Sequence, residues 1–191
     1  MAIDSFMYFK DYNGKFLMSE SQVDLKGTPA NELLDDFSAA HKAGGLFEVE
    51  DYSFDVEQVL SIGSQSSGAG AGKITFNPFS ITRSIDKSSP VLYQNCCSGT
   101  PYQDVGLGMR KSAGGEVSGT FFLYFQFKLV AVKTISWSHS DEAPKETTTF
   151  EYGGLVIRYG QQKADGKIND IFMGGWNKVK NVNAKPADVI K

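Results

Sequence analysis

The most suggestive chemical motif in the sequence is a run of alternating glycines that ends in a lysine, Gly68 to Lys73. Phosphate-binding loops use such residues, but a Walker loop also needs a glycine five residues before its Gly-Lys pair and a hydroxyl residue after it. Ser67 and Ile74 occupy those positions. A helix should follow, because its N-terminus binds phosphate, whereas a strand-like pattern follows here. We therefore interpret the segment as a Gly-rich loop between strands.

A second segment, Ser138-His139-Ser140-Asp141, contains the residue types of a hydrolase triad. Triads are arrangements in space, so adjacency in sequence does not indicate one. The chain also has no Gly-x-Ser-x-Gly element, the turn that presents the serine in many hydrolases. We interpret the segment as a polar turn at the end of a strand.

The remaining metal-binding and nucleophilic residues do not form a recognisable site. The two histidines, His41 and His139, have no companion at the spacing of metal ligands. Cys96 and Cys97 are adjacent, which strains a disulfide between them, and we expect one to face the core and the other the surface. We therefore expect no metal, no cofactor and no enzymatic activity.

Composition excludes further classes of function. A net charge of −3 over 191 residues, without a basic stripe, argues against nucleic-acid binding. The longest apolar run, Phe121 to Phe125, is too short for membrane insertion. The absence of a disulfide framework predicts folding in a reducing cytoplasm, and the N-terminus lacks the basic and apolar regions of a signal peptide.

Alternating apolar residues predict a mainly β fold. Residues 3–9, 46–59, 73–85, 105–109, 119–137, 147–159 and 176–182 are the predicted strands. In the longest, Phe121, Leu123, Phe125, Phe127, Leu129, Ala131, Ile135 and Trp137 are expected to face the core. Residues 161–175 are interpreted as a loop and 184–191 as a flexible tail. Strands joined by short turns indicate an antiparallel sandwich or barrel.

Two helices are predicted among these strands. The first spans residues 29–43, with Thr28 as its N-cap, Pro29 in the first turn and Gly44-Gly45 at its end. Its apolar stripe (Leu33, Leu34, Phe37 and Ala40) could bind a partner or pack on the chain's own sheet, and we favour packing. The second helix is opened by Ser89-Pro90 and closed by Gly99.

Three stretches of the sequence carry further motifs. The first is Ser80–Pro90, with its Asp-Lys-Ser-Ser-Pro step into the helix that runs through Leu92 to Cys96-Cys97-Ser98-Gly99. The second is Leu107 followed by Arg110-Lys111-Ser112-Ala113-Gly114-Gly115. The third is Gln161-Gln162-Lys163-Ala164-Asp165-Gly166, followed by Gly175-Trp176-Asn177. In this order and spacing, the three stretches resemble the haemolysin-coregulated protein (Hcp) family of type VI secretion.

The resemblance implies one domain, residues 1–191, folded as a β-barrel of two antiparallel sheets with one short flanking helix. The segment at about 22–45, with its extra helix, looks like an insertion. The family's properties imply a homohexameric ring that stacks into a tube inside a contractile sheath. They also imply a spike tip protein and small effectors as partners, and export through the type VI apparatus without a signal peptide.

Two sets of residues are candidates for assembly. Tyr124, Tyr152 and Tyr159 are expected at the interface between subunits, because aromatic side chains are enriched there. The loop of Ser61, Gly63, Gln65, Gly68, Gly70 and Gly72 is expected to order against a neighbouring ring. The alternative is a monomeric or tetrameric β-barrel that binds a small ligand in an apolar cup.

Overall fold

The computed structural model describes residues 3–26, 28, 31–61, 70–111, 119–139, 143–162 and 168–191. Its elements are, in chain order, β1 (Ile3–Lys10), α1 (Asp35–Lys42), β2 (Phe47–Glu48), β3 (Asp51–Ser53), β4 (Val56–Ser61), β5 (Gly70–Phe76), β6 (Phe79–Ser84), α2 (Ser89–Ser98), β7 (Tyr102–Lys111), β8 (Phe121–His139), β9 (Pro144–Gln162), β10 (Ile168–Asn177) and β11 (Val182–Asn183).

Nine of these strands form one antiparallel sheet, built around the long pair β8 and β9. The main path runs β11-β10-β9-β8-β7-β1-β2. The second edge of β9 is shared, because its first half pairs with β6 and its second half with β10. The segment with β2 and β3 passes from the edge of β1 to the edge of β6. The predicted mainly β, antiparallel fold with two helices is confirmed, although the hydrogen-bonded strands described do not form a closed barrel.

The inner face of the curved sheet encloses a core of stacked aromatic rings. Phe79 lies at its centre, with ring centroids 4.2 Å from Phe127 and 4.6 Å from Phe150. Phe9 and Tyr152 complete the contacts around it. Since each buried aromatic side chain removes a large apolar area from water, this cluster stabilises the curved sheet.

The direction in which side chains of β8 point reverses at Leu129, which corrects the predicted core-facing set. Leu129 has a φ of +50°, a value that strands do not use. Before it, Phe127 faces the inner core; after it, Val130 and Val132 do so, and Leu129 and Ala131 are only half-buried. Trp137, also predicted to face the core, is 52% exposed.

Helix α1 covers the outer face of the sheet, as favoured above. It begins at Asp35 instead of after Thr28, because the Asn31 side chain accepts hydrogen bonds from the backbone N–H groups of Leu33 and Leu34 and forms a turn first. Phe37 stacks on Phe121 at 4.8 Å in a second core cluster. The predicted end at Gly44 is confirmed, with a φ of +69°.

Gly108 on β7 leaves room for this helix. A methyl group at position 108 would overlap the Cζ and Cε2 atoms of Phe37. The sheet therefore has a notch that fits one side chain of α1, which makes the helix an integral part of the packing.

The loop that leads into α2 is anchored by a buried arginine. Arg83 donates through Nη2 to Glu146 Oε1 at 2.7 Å and through Nη1 to Asp86 Oδ1 at 2.8 Å. Its Nη2 also donates to Ser89 Oγ at 3.0 Å. Burial opposes ionisation of Asp86, but the hydrogen bonds from Ser88 and Arg83 outweigh it and lower the pKa of that carboxyl. The Asp-Lys-Ser-Ser-Pro step is thus part of one ion-pair network.

Several predicted boundaries are wrong. The strands predicted for 46–59 and 73–85 are each interrupted, giving β2 to β4 and β5 to β6. Most of the loop predicted for 161–175 belongs to β9 and β10. The tail predicted to be flexible packs on the sheet instead, because Ile190 is 2% exposed and its carbonyl accepts a hydrogen bond from Tyr12.

Replacing Arg83 with alanine should reduce the free energy of unfolding by roughly 3–5 kcal/mol, because Glu146 would remain buried without its cation. Urea unfolding followed by circular dichroism measures the change. The control is Lys133→Ala, which removes the exposed Lys133–Glu151 pair and should cost at most about 1 kcal/mol. Equal losses in the two variants would contradict the role of the buried pair.

Replacing Gly108 with alanine should cost about 1–3 kcal/mol through overpacking against Phe37. In a Phe37→Leu background the additional cost should be smaller, because the two sites share one space. Gly174→Ala is the matched control, since a methyl group there meets no atom within 4 Å. If the losses in free energy of unfolding at positions 37 and 108 simply add, the side chain of Phe37 does not fill the notch at Gly108.

Candidate assembly surface

The chemistry-bearing residues singled out in the sequence do not converge in the described part of the chain. Ser138 and His139 lie exposed at the end of β8, and Ser140 and Asp141 lie outside the described residues. Half-buried His41 lies in the last turn of α1. No group of three or more His, Cys, Asp or Glu residues that could hold a metal ion occurs within the described ranges.

The adjacent cysteines of α2 face in different directions, as predicted. Cys96 is half-buried, packs against the inner core and lies 3.8 Å from the backbone oxygen of Lys133. Cys97 is exposed. Both thiols are free, so this helix is not held by a disulfide.

A buried polar network lies between the outer face of the sheet and the segments that cover it. The hydroxyls of Tyr8 and Tyr124 are 2.5 Å apart, and Tyr124 also donates to Asp36 of α1 at 3.1 Å. Arg158 donates to the same oxygen of Asp36 at 3.3 Å and lies over the Tyr124 ring. Asp36 is therefore the polar anchor of α1, beside its apolar anchor Phe37.

Asp104 continues this network toward the C-terminal segment. It accepts hydrogen bonds from Gln126 at 2.8 Å and Lys128 at 3.1 Å. Lys128 also donates to the carbonyl of Pro186 at 2.6 Å. Burial, followed by the nearby Asp104 carboxylate, raises the pKa of Tyr8. Burial likewise raises the pKa of Tyr124, so Tyr8 and Tyr124 both stay protonated and serve as hydrogen-bonding groups.

Two of the three tyrosines predicted at a subunit interface are inside the protomer. Tyr124 is 0% exposed and belongs to the network under α1. Tyr152 is 4% exposed, because it stacks on Phe76 and packs against Phe127 in the inner core. Neither ring can contact another subunit without unfolding its own surroundings, so the prediction is wrong for both.

Tyr159, the third tyrosine, lies on the surface in an apolar stripe. It is 45% exposed on β9 and pairs in register with Phe172 of β10, which is 59% exposed. Ile157 lies next to them on the same face of β9 and is 39% exposed. We call these three residues the β9–β10 stripe.

A groove separates this part of the sheet from the hairpin of β4 and β5. Its volume is about 560 Å³. The lining is mostly apolar, and Ile157 is shared between the groove and the stripe. The other residues that line it are Val56, Gln58, Ile74, Phe76, Leu155, Gly174, Gly175, Trp176 and Asn181.

The Gly-rich candidate loop can be placed only at its two ends. Ser61 is the last residue of β4, and Gly70 and Gly72 lie in β5, where Ser61 pairs with Gly70. Gly63, Gln65 and Gly68 lie outside the described residues. The sequence interpretation of a connection between two strands is consistent with these ends.

The exposed apolar residues of β10 were missed because the sequence there was interpreted as a loop. Asp165-Gly166 is a dipeptide that favours tight hairpins when strands flank it. Ile168, Ile171 and Phe172 follow it and have strand-forming side chains. Together these residues predict a returning strand.

In the described part of the chain no helix is long and apolar enough to cross a membrane.

Comparison with known proteins shows one consistent likeness. The sequence model of the family described as "Type VI secretion system effector, Hcp" matches residues 38–159. The chain is 38% identical over 115 residues to protein hcp1 of Pseudomonas aeruginosa, a match that covers 59% of this chain and 70% of that protein.

Solved structures show the same fold. A structure described as a type six secretion system protein superposes with a TM-score of 0.73 at 20% identity, covering 96% of this chain and all of that one. Hcp1 of Salmonella typhimurium gives a TM-score of 0.66 at 22% identity, covering 96% of this chain and 100% of that chain. Because the family's sequence model matches more than half of the chain, this protein belongs to the Hcp family of type VI secretion proteins.

Proposed function

We propose that the chain is a structural subunit of the inner tube of a type VI secretion system. Copies form homohexameric rings, the rings stack inside a contractile sheath, and contraction secretes them from the cytoplasm. The spike tip protein and small effectors carried in the ring channel are the further partners. Family membership supports this proposal, and its structural support is the exposed β9–β10 stripe.

The stripe has the properties of a surface that a second copy covers. Tyr159, Phe172 and Ile157 are adjacent on one face and remain exposed, although buried side chains cover most of the neighbouring sheet. Covering such a contiguous apolar surface stabilises association by roughly 25 cal/mol for each Å² removed from water. Ring formation also requires two different complementary patches on each subunit, and the stripe supplies one.

The interior of the sheet disfavours the alternative of a small-ligand barrel. Such a barrel keeps an apolar cup within its strands. Here the space between the strands holds the stacked rings of Phe79, Phe127 and Phe150. The 560 Å³ groove lies instead between the β4–β5 hairpin and the sheet.

Replacing Phe172 with glutamate should disrupt assembly, because a charge would enter a desolvated apolar contact. The wild-type protein should elute with a mass six times the 20.9 kDa of one chain in size-exclusion chromatography with light scattering, and the variant should shift toward the monomer. Val189→Glu changes another exposed apolar residue, on the C-terminal segment (48% exposed against 59% for Phe172), and should leave the mass unchanged. A wild-type monomer at all concentrations would contradict the proposal.

We also propose that the Gly-rich loop acts in ring stacking and not in ring closure. Replacing residues 62–69 with Asn-Gly would join the paired Ser61 and Gly70 by a two-residue turn. The variant should retain the mass of the ring, whereas tube formation should decrease. Negative-stain electron microscopy measures tube formation. The control is a variant in which residues 62–69 keep their number but stand in shuffled order. Tubes of wild-type length from the shortened variant would reject this role.

A further inference from the structure

A cleft of about 450 Å³ opens at the edge of the sheet where β9 changes its partner strand. The pairing of β9 with β6 ends at Phe150, and its pairing with β10 begins at Gly154. Among the described strands none pairs with residues 151–153 on this edge, although the Lys178 N–H donates to the Gly153 carbonyl at 2.9 Å. A cleft of this volume is of the size that small-molecule sites have.

The backbone is held in an unfavourable conformation at two points beside this cleft. Leu129, which lines it, has a φ of +50°, and Asn181, which ends the turn of residues 178–181, has a φ of +56°. They are the only non-glycine residues with a positive φ in the described ranges. A positive φ is rare for leucine, and such conformations occur preferentially at ligand sites. The reversal at Leu129 gives the cleft an apolar floor, formed by the half-buried Leu129 and Ala131.

Two lysines stand beside this floor without a carboxylate partner. Lys73 of β5 and Lys178 both line the cleft, and neither forms an ion pair within the part of the chain that the structure describes. The Lys178 Nζ lies 6.0 Å from the centre of the Phe76 ring, a cation–π contact that helps to fix it. The carboxylate of Glu151 also lines the cleft, but it is paired with Lys133 at 2.7 Å. The cleft is therefore positive in a chain whose net charge is −3, and it attracts anions.

A buried hydroxyl at the same place lacks a hydrogen-bond partner. Tyr152 lines the cleft and is 4% exposed, and its hydroxyl has no partner among the described residues. Burial raises the pKa of this hydroxyl, so it remains a neutral donor. Since buried polar groups are nearly always hydrogen-bonded, to the protein, a water or an ion, an unpaired one indicates a missing partner. The tyrosine thus points to a ligand oxygen independently of the lysines.

We propose that this cleft binds a small amphipathic anion, with its phosphate or carboxylate group between the two lysines and its apolar part against Leu129, Ala131 and Val179. A compact anion alone would leave the floor in contact with water, and a neutral apolar ligand would leave both ammonium groups uncompensated. The cleft shares no residue with the β9–β10 stripe. The inference therefore goes beyond the proposed assembly and does not depend on it.

Calorimetric titration of the full chain with four probes tests the site. The probes are hexyl phosphate, hexanoate, hexanol and inorganic phosphate. Hexyl phosphate should bind most tightly, because its roughly two negative charges at neutral pH meet two ammonium groups. Hexanol and inorganic phosphate each supply half of the ligand and should bind at least about tenfold more weakly. Tighter binding of hexanoate than of hexyl phosphate would support the site and identify the anionic group as a carboxylate.

Variants of the lining residues test where the probe binds. Lys73→Met and Lys178→Met remove one charge each and should each weaken hexyl phosphate binding by about tenfold. Val179→Trp should abolish binding by filling the cleft while both charges stay in place. Lys42→Met removes an exposed charge from α1 and should bind like the wild type. Circular dichroism establishes that each variant is folded.

Three results would overturn the inference. The first is a wild-type chain that shows no saturable binding of hexyl phosphate or hexanoate. The second is equal binding of hexyl phosphate by the wild type and by both lysine variants of the cleft. The third is binding of hexanol or of inorganic phosphate as tight as that of hexyl phosphate. None of them concerns the mass of the assembled protein, so the proposed function would stand.

Discussion

The structure depends on covering both faces of the sheet formed by β1, β7, β8 and β9. Buried side chains project from each face: Phe9 and Phe127 into the inner core, Tyr8 and Tyr124 into the outer cluster. Leaving the apolar groups of the outer face half-exposed, or its polar groups unpaired, would lower the free energy of unfolding. The curvature of the sheet covers the first face, and α1 with the C-terminal segment covers the second.

The polar network under α1 follows from the same constraint. A helix laid on a sheet by Phe37 alone could shift along it, whereas Asp36 fixes its position through Tyr124 and Arg158. Asp104 does the same for the C-terminal segment by orienting Lys128 toward the Pro186 carbonyl. Buried charges contribute little net stability, but removing one partner is costly, so the network fixes where the covers sit.

Much of the architecture could be predicted from the sequence, and the errors have physical causes. Alternation identified β1, β8 and β9, and Ser89-Pro90 with Gly99 identified α2, because turns and caps depend on local chemistry. Alternation failed at Val130 and Val132, because the positive φ of Leu129, which nothing in the sequence indicates, reverses the side chains there. Further along β8, Ile135 packs against the inner core as predicted. Tyr124 and Tyr152 were assigned to the surface because aromatic type alone does not tell which segment covers a strand. The burial of Tyr124 depends on α1, which is distant in sequence.

Function in this account resides in surfaces that remain open after folding. The β9–β10 stripe shares the face of β9 that carries Leu155 of the inner core, and its exposed residues would be covered by a second copy. Hydrogen exchange of the full chain, compared between assembled and highly diluted protein, tests this most directly. We predict that backbone amides of residues 168–174 exchange markedly more slowly in the assembled state, while those of α1 are unchanged. Equal exchange of residues 168–174 in the two states would contradict the account.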